Sequence, residues 1–360
     1  MGMGCTDQRG RTLAEIWFAI AAVMLTAYVV LDGFDLGAGV VHLFVARSDG
    51  ERRQVLGAIG PFWDGNEVWL LATGGALFVA FPPVLASGLS GFYFAIFLVL
   101  WSLILRGVAI EFRSHLEHPL WRTAWDFVFS AGSTLLPVLF GAALGNLVRG
   151  LPIDAEGYFS LSLFTDFTTT PPVGILDWYT ILAGVFGLLA LAGHGATFLV
   201  WRTDGAVQTR SRTAAAILYG TLAILWPVAT VSTWIVNPDL FLALSGRPLA
   251  WLFVLVALTG FVTVGLGLRT RRDLTAFLGS CAFLTGMLTA TAACLFPVML
   301  KAIDDHARSL TAYNASAPNA SLQIAFTWWI LGFPLAVLYF VTLFRIHRGK
   351  TVAATGRNGY

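Results

Sequence analysis

The chain has 360 residues, of which 57% are hydrophobic and only 12% are charged. A soluble globular domain carries about 25% charged residues, so this composition excludes that class. Apolar runs recur along the whole length, and runs of about 20 residues can span the hydrocarbon core of a bilayer as helices. The net charge of +2 gives no sign of a nucleic-acid partner. The composition therefore predicts an all-α integral membrane protein.

Apolar runs, broken by charges and by Pro and Gly clusters, predict nine transmembrane helices. Their predicted ranges are 13–46, 54–86, 88–112, 120–148, 177–201, 213–236, 248–268, 274–300 and 322–346. The longest connection, residues 149–176, is acidic and contains prolines. We therefore expect an N-terminal half (1–148) with four helices and the intramembrane carboxylates, an outer loop (149–176), and a C-terminal half (177–360) with five helices.

The positions of the basic residues predict the orientation. If the connection after the first helix lies inside the cell and the sides alternate, most of the 22 Lys and Arg residues fall on the inner side. Basic residues favour the cytoplasmic side of a membrane. The pattern therefore places the N-terminus outside and the C-terminus in the cytoplasm, as an odd number of helices requires.

Two carboxylates lie within the first apolar run, in the segment "VVLDGFDLGAGVV" (29–41). Asp35 is about 18 Å along a helix from Arg47, and Asp32 is three positions away, which a helix presents on the same side. A charge at the bilayer centre costs about 2.5–3.5 kcal/mol on insertion scales. We therefore expect these acids to occupy a hydrated or hydrogen-bonded interior rather than the lipid face.

A second acidic pair, Asp64 and Glu67, lies between Trp63 and Trp69 in "GPFWDGNEVWLL" (60–71). If residues 54–86 form one helix, Asp64 has a depth similar to that of Asp35 on the neighbouring helix. An alternative is that this segment is an interfacial helix entry whose acids face water. Arg106, at the inner end of the third helix, either extends to the interface or pairs with an intramembrane carboxylate from the first two helices.

The sequence offers little for a cofactor. His42 and His194 are the only histidines within predicted helices, and nothing places them opposite each other at one depth, as a bis-histidine haem would require. The three cysteines form neither a disulfide framework nor a metal-ligand spacing. We therefore expect no metal and no directly bound cofactor in this chain.

Several segments together resemble subunit II of the bacterial cytochrome bd-type quinol oxidase. They include "LDGFDLGAG" (31–39), "GPFWDGNEVWLLATGGALFVAFP" (60–82), "SGFYFAIFLVLWSLILRGVAIEFRS" (90–114), "HGATFLVWRTDGAVQTRSR" (194–212) and "SLTAYNAS" (309–316). The likeness extends over nearly the whole chain in consistent order, and "WDGNEVW" is its most specific block.

The resemblance implies a bacterial inner-membrane terminal oxidase that oxidises quinol, reduces O2 to water and generates a proton motive force. It implies a heterodimer whose subunit I holds two b-type haems and one d-type haem, while this chain scaffolds that partner without binding haem. The implied fold is two four-helix bundles plus one peripheral helix. Asp35 and Asp64 are the implied proton-transfer residues of a cytoplasmic path, with Asp32, Trp63, Glu67 and Arg106 supporting them.

Some points depart from the family or stay open. Phe62 stands where some relatives carry histidine, and the connection 237–247 is short. Membrane lipid and quinone are expected neighbours, but the sequence does not decide between ubiquinone and menaquinone, nor whether a small single-helix subunit joins the complex. Paired acids in glycine-rich helices also suit a proton-coupled secondary transporter, which is the alternative function. A haem-ligating cytochrome is a third.

Overall fold

The computed structural model describes residues 3–351, with side chains described from residue 10 onward, so Cys5 lies outside the described side chains. Within this range the chain forms twelve α-helices and two short strands. The helices are α1 (Met3–Val45), α2 (Asp49–Ile59), α3 (Trp63–Ala80), α4 (Pro82–Gly91), α5 (Tyr93–Phe112), α6 (Pro119–Arg149), α7 (Trp178–Arg202), α8 (Gly205–Val236), α9 (Pro238–Ser245), α10 (Pro248–Arg269), α11 (Asp273–Leu295) and α12 (Asn319–Ile346). The strands are β1 (Val298–Leu300) and β2 (Leu310–Thr311), which pair antiparallel.

Eight of the described helices are long and apolar enough to cross a membrane, namely α1 from Gly10 onward, α5, α6, α7, α8, α10, α11 and α12. This confirms the prediction of an α-helical membrane protein, but the count of nine crossings and the two-bundle arrangement stay predictions. The loop between α6 and α7 has nearly the predicted bounds.

The predicted second helix is the main error. Residues 54–86 do not form one helix, because the chain breaks at Gly60–Phe62 and again at Phe81. At the first break Pro61 has no N–H group to continue the hydrogen bonding of α2. At the second break Phe81, the residue before Pro82, is non-helical with φ −137° and ψ 60°, as expected before a proline. The resulting α3 has 18 residues and would extend about 27 Å. Asp64 therefore lies in the first turn of α3, not well inside a longer helix.

Other predicted boundaries were also wrong. The first predicted helix, 13–46, begins earlier, at Met3, and the third, 88–112, is divided at Phe92 between α4 and α5. The eighth predicted helix, 274–300, ends at Leu295, and Pro297 is followed by strand β1. The sixth predicted helix, 213–236, begins earlier, at Gly205, where the side chain of Asp204 accepts a hydrogen bond from the Gly205 N–H. Its first two turns are polar, which is why an apolar run does not reveal them.

Helix α1 is the centre of the fold and packs against α3, α6, α7 and α11. It passes closest to α7, where Gly37 faces Gly195. A Cβ atom on Gly37 would lie 1.8 Å from the Leu191 carbonyl oxygen, and one on Gly195 would lie 2.1 Å from the Ala38 nitrogen. Only glycine permits this approach, and small residues are the usual means of close helix packing in membranes. The crossing fixes the part of α1 that carries the two carboxylates.

Candidate functional site: a carboxylate and arginine cluster between helices 1, 3 and 5

Arg106 lies at the centre of the cluster. Its Nη1 donates a 2.7 Å hydrogen bond to Oδ1 of Asp32, and its Nη2 lies 3.2 Å from Oε2 of Glu67. Arg106 and Asp32 are fully buried, while the Glu67 side chain retains 22% exposure. Of the two alternatives for Arg106, extension to the interface or pairing with an intramembrane carboxylate, the structure shows pairing, with Asp32 of α1 and Glu67 of α3. Buried charges in membranes are expected to be paired in this way.

Asp35 is buried beside this ion pair but makes a different contact. Its Oδ2 accepts a 2.7 Å hydrogen bond from Nδ2 of Asn66, which also donates to the Leu31 carbonyl. Its Oδ1 has no hydrogen-bond partner within the described part of the chain. Each acid keeps one such oxygen, since Oδ2 of Asp32 also has no partner there, but Asp32 has a guanidinium partner whereas Asp35 has only a neutral amide. Of the two acids on α1, Asp35 is the better placed to gain and lose a proton.

Asp64 lies on the opposite side of α3 from Asn66. Positions two apart on a helix are separated by about 200° around its axis, so when Asn66 faces α1, Asp64 faces away. Asp64 is accordingly exposed. The structure therefore does not bring Asp64 into contact with Asp35. Asn66 is the α3 residue that reaches Asp35, and the sequence analysis did not single it out although it lies inside "WDGNEVW".

Two aromatic residues hold the start of α3. Trp63 is half-buried, and its indole ring packs over Gly107, the neighbour of Arg106. Phe62 is fully buried in the break before α3 and stacks on Phe344 of α12, with ring centroids 4.6 Å apart. Phe62 is thus part of an aromatic cluster, and the guanidinium carbon of Arg202 lies 5.5 Å from the centroid of its ring.

The two histidines within helices both make hydrogen bonds to other protein groups. His194 is fully buried, and its ring nitrogens contact Ser280 Oγ at 2.7 Å and the Val30 carbonyl oxygen at 2.8 Å. His42 is also fully buried, and its Nε2 lies 2.8 Å from Asp126. Among the described residues, no group of three or more His, Cys, Asp and Glu side chains is arranged to hold a metal ion.

The comparisons with known proteins agree with one another. The family model for cytochrome bd terminal oxidase subunit II matches residues 13–347. The cytochrome bd-I ubiquinol oxidase subunit 2 of Escherichia coli (strain K12) is 32% identical over 354 residues, covering 91% of this chain and 92% of the relative. The cytochrome bd ubiquinol oxidase subunit 2 of Bacillus subtilis (strain 168) is 35% identical over 317 residues, covering 87% and 89%.

A solved structure supports the fold. One chain of the bd oxidase from Geobacillus thermodenitrificans matches with a TM-score of 0.73 and 17% identity, covering 93% of this chain and 98% of that one. At that identity the match supports the architecture alone. The extent of the family match and the two relatives establish that this chain belongs to the family of subunit II of the cytochrome bd terminal oxidases, which are quinol oxidases.

Proposed function

We propose that this chain is the haem-free subunit of a heterodimeric cytochrome bd-type quinol oxidase and that it carries protons toward the oxygen-reducing haem of subunit I. The observation that carries the proposal is the contrast between the two buried acids of α1. Asp32 is held by the Arg106 guanidinium, while Asp35 receives a hydrogen bond only from the neutral amide of Asn66. A carboxyl group transfers protons when donor and acceptor lie within hydrogen-bond reach or one water apart.

Asp64 supports the proposed heterodimer. It stands at the start of a face of α3 that continues with the exposed residues Val68, Leu71 and Phe78. A carboxylate in contact with lipid is costly, so an acid on an apolar transmembrane face normally meets protein or water. We infer that the haem-bearing subunit covers this face. Asp64 then lies at the boundary between the subunits and links the cluster around Arg106 to the partner.

The same proposal includes the orientation and the ninth crossing. The inner side is the side on which α1 ends and α2 begins, and the N-terminus lies outside. Helix α3 completes the odd number of crossings, although Asp64 and Glu67 make it less apolar than the other eight. The relatives named above are all oxidase subunits, and none of them supports the alternative function of a proton-coupled transporter.

The experiment uses the intact oxidase complex. We expect Asp35→Asn and Asp64→Asn each to reduce quinol-driven O2 consumption by about 100-fold, the lower range for loss of a proton-transfer group. The haem absorption spectrum and reduction of the haems by a chemical reductant should be unchanged. Asp304→Asn, which alters an exposed acid in the loop before β2, is the control and should retain the wild-type rate. If Asp64→Asn consumes O2 at the wild-type rate from pH 6 to 9, the Asp64 carboxylate has a structural role and transfers no protons.

A further inference from the structure

A second buried titratable pair, His42 of α1 and Asp126 of α6, makes no contact with the cluster around Arg106. His42 lies two helical turns beyond Asp35 on α1, about 10.5 Å along the axis. Its Nε2 is 2.8 Å from Oδ1 of Asp126 on α6, and both side chains are fully buried. Positions 35, 39 and 42 share one side of α1, because residues three, four and seven apart on a helix lie above one another.

Asp126 connects this pair to the aqueous end of the helices. Its carboxylate also accepts hydrogen bonds from Arg113, at 2.6 Å from Nε, and from Arg52, at 2.8 Å from Nη1. The Arg52 side chain is 23% exposed, and Asp49, which is 42% exposed, receives a further hydrogen bond from Arg113. The charged groups around His42 are therefore Asp126, Arg52 and Arg113, and they extend from the buried ring to the surface.

Ser133 lies between this pair and Asp35. It is on α6, fully buried, and faces Gly39 so closely that a Cβ atom there would lie 2.1 Å from Ser133 Oγ. Since α1 and α6 run antiparallel, Ser133 is at the level of Gly39, between the levels of Asp35 and His42. The Ser133 side chain thus fills the space that a Cβ atom at position 39 would need, and only glycine lets its hydroxyl group approach α1 so closely.

Three polar atoms along this row have no hydrogen-bond partner among the described residues. They are Oδ1 of Asp35, Oγ of Ser133 and Nδ1 of His42. Buried polar atoms in proteins are nearly always hydrogen-bonded, and where protein supplies no partner a buried water usually does. These three atoms lie at the levels of positions 35, 39 and 42 of α1, and each is a site at which a bridging water would complete the hydrogen bonding.

We propose that His42 and Asp126 form the aqueous-side segment of the proton route to Asp35, with Ser133 and bridging water between them. Asp126 takes up a proton from the aqueous side and passes it to Nε2 of His42, and the carboxylate that remains stabilises the imidazolium. The imidazolium then releases its Nδ1 proton toward Ser133, and the ring rotates to restore its first tautomer, so both groups regain their charge and proton number. Arg52 and Arg113 favour the ionised form of Asp126 between transfers. This inference rests on the proposed proton-transfer role of Asp35, and it adds an entry that does not pass through Asp64.

Two variants test it in the intact oxidase. His42→Gln keeps an amide that can donate to Asp126 but cannot pass a proton. Ser133→Ala removes a hydroxyl group that no described residue binds, so it should not weaken the fold. We expect both to slow quinol-driven O2 consumption by about tenfold and to raise its solvent deuterium isotope effect, with unchanged haem spectra. Thr134→Val is the matched control, because its hydroxyl donates within α6 to the Ser130 carbonyl.

The outcomes separate this inference from the proposed function. If Asp35→Asn is slow while His42→Gln and Ser133→Ala turn over at the wild-type rate, the entry route is wrong and the role of Asp35 stands. If Asp35→Asn itself turns over normally, both fail. A slowed rate with an unchanged isotope effect makes the His42–Asp126 pair structural and also overturns the inference. If His42→Gln does not assemble, Ser133→Ala alone decides.

Discussion

Arg106 of α5 and Asp32 of α1 form an ion pair 2.7 Å long with no solvent exposure on either side chain. The pair joins two helices that are distant in sequence, and it places a fixed positive charge next to Asp35. Each charge is tolerated in the interior only because the other is present, since an isolated buried charge costs far more free energy than a paired one. The pair therefore holds the cluster together and leaves Asp35 as the acid of α1 without a cationic partner.

This pair leads to the first stability prediction. Arg106→Leu leaves Asp32 buried without its cation and should destabilise the complex by about 3–5 kcal/mol. The double variant Arg106→Leu, Asp32→Leu removes both charges and should recover much of that loss. Thermal denaturation of the purified complex, followed by haem absorbance, measures both. Equal losses in the single and double variants would mean that the effect comes from packing rather than charge.

The crossing of α1 and α7 gives the second prediction. Gly37→Ala should prevent assembly of the complex, because its Cβ atom would lie 1.8 Å from the Leu191 backbone oxygen and the helices must separate. Gly220→Ala is the control, since a Cβ atom at that position in α8 meets nothing within 4 Å. The yield of haem-loaded complex after solubilisation is the measurement. Normal yield from Gly37→Ala would mean that α1 and α7 are further apart than described.

Much of this site follows from the sequence because intramembrane charge is rare and costly. Asp32, Asp35 and Arg106 stand out in apolar runs, and pairing follows from the cost of leaving them alone. Asp126 could have been found by the same rule, since it also lies in a mainly apolar run. Unlike Asp32 and Asp35, however, Asp126 has no second acid three or four positions away to draw attention to it.

The contact between Asp35 and Asn66 could not be predicted, since it depends on where α3 begins. A single helix over 54–86 would give Asp64 and Asn66 a different rotation and depth. Pro61 marks the break, but the angle between α2 and α3 is set by tertiary packing of Phe62 on Phe344. Local sequence contains no direct information on that contact, and so the side of α3 that faces α1 became known only from the structure.

A third prediction concerns pH and the connection between α2 and α8. Glu51 caps α2, accepting from the backbone N–H groups of Arg47 and Ser48, and also receives a hydrogen bond from Arg210 of α8. Partial burial acts to raise the pKa of Glu51, but these hydrogen bonds outweigh it and the pKa lies below its usual value. A carboxylate with a lowered pKa in the folded state adds stability above its unfolded pKa of about 4.3, and that stability is lost as the pH falls through the folded value.

We therefore expect Glu51→Gln to lower the thermal stability of the complex at pH 6–8 and to have no effect once the pH is below the folded pKa of Glu51. Denaturation temperatures of both proteins across that range measure the difference. Arg210→Gln removes one donor and should show a smaller dependence on pH than the wild type over the acidic part of the range. A constant difference between wild type and Glu51→Gln at every pH would contradict the assignment.

The last prediction tests whether α3 crosses the membrane. Among the helices around it, α1, α5, α6 and α7 are long and apolar enough to cross, so the side reached by each connection depends on α3 alone. Single cysteines at Arg47, Ser90, Ala155 and Ala206, all exposed positions, report the connections in a background without the three native cysteines.

With α3 crossing, a membrane-impermeant thiol reagent should label Ser90→Cys and Ala155→Cys on intact spheroplasts. Arg47→Cys and Ala206→Cys should react only in inverted vesicles, because the basic connections stay in the cytoplasm. If Arg47→Cys and Ser90→Cys react from the same side, α3 does not cross and Asp64 does not lie within the membrane. If all four sides are reversed, α3 crosses but the proton route starts from the opposite face. The first of these results would remove Asp64 from the proposed path while leaving the buried contacts of Asp35 and Arg106 as described.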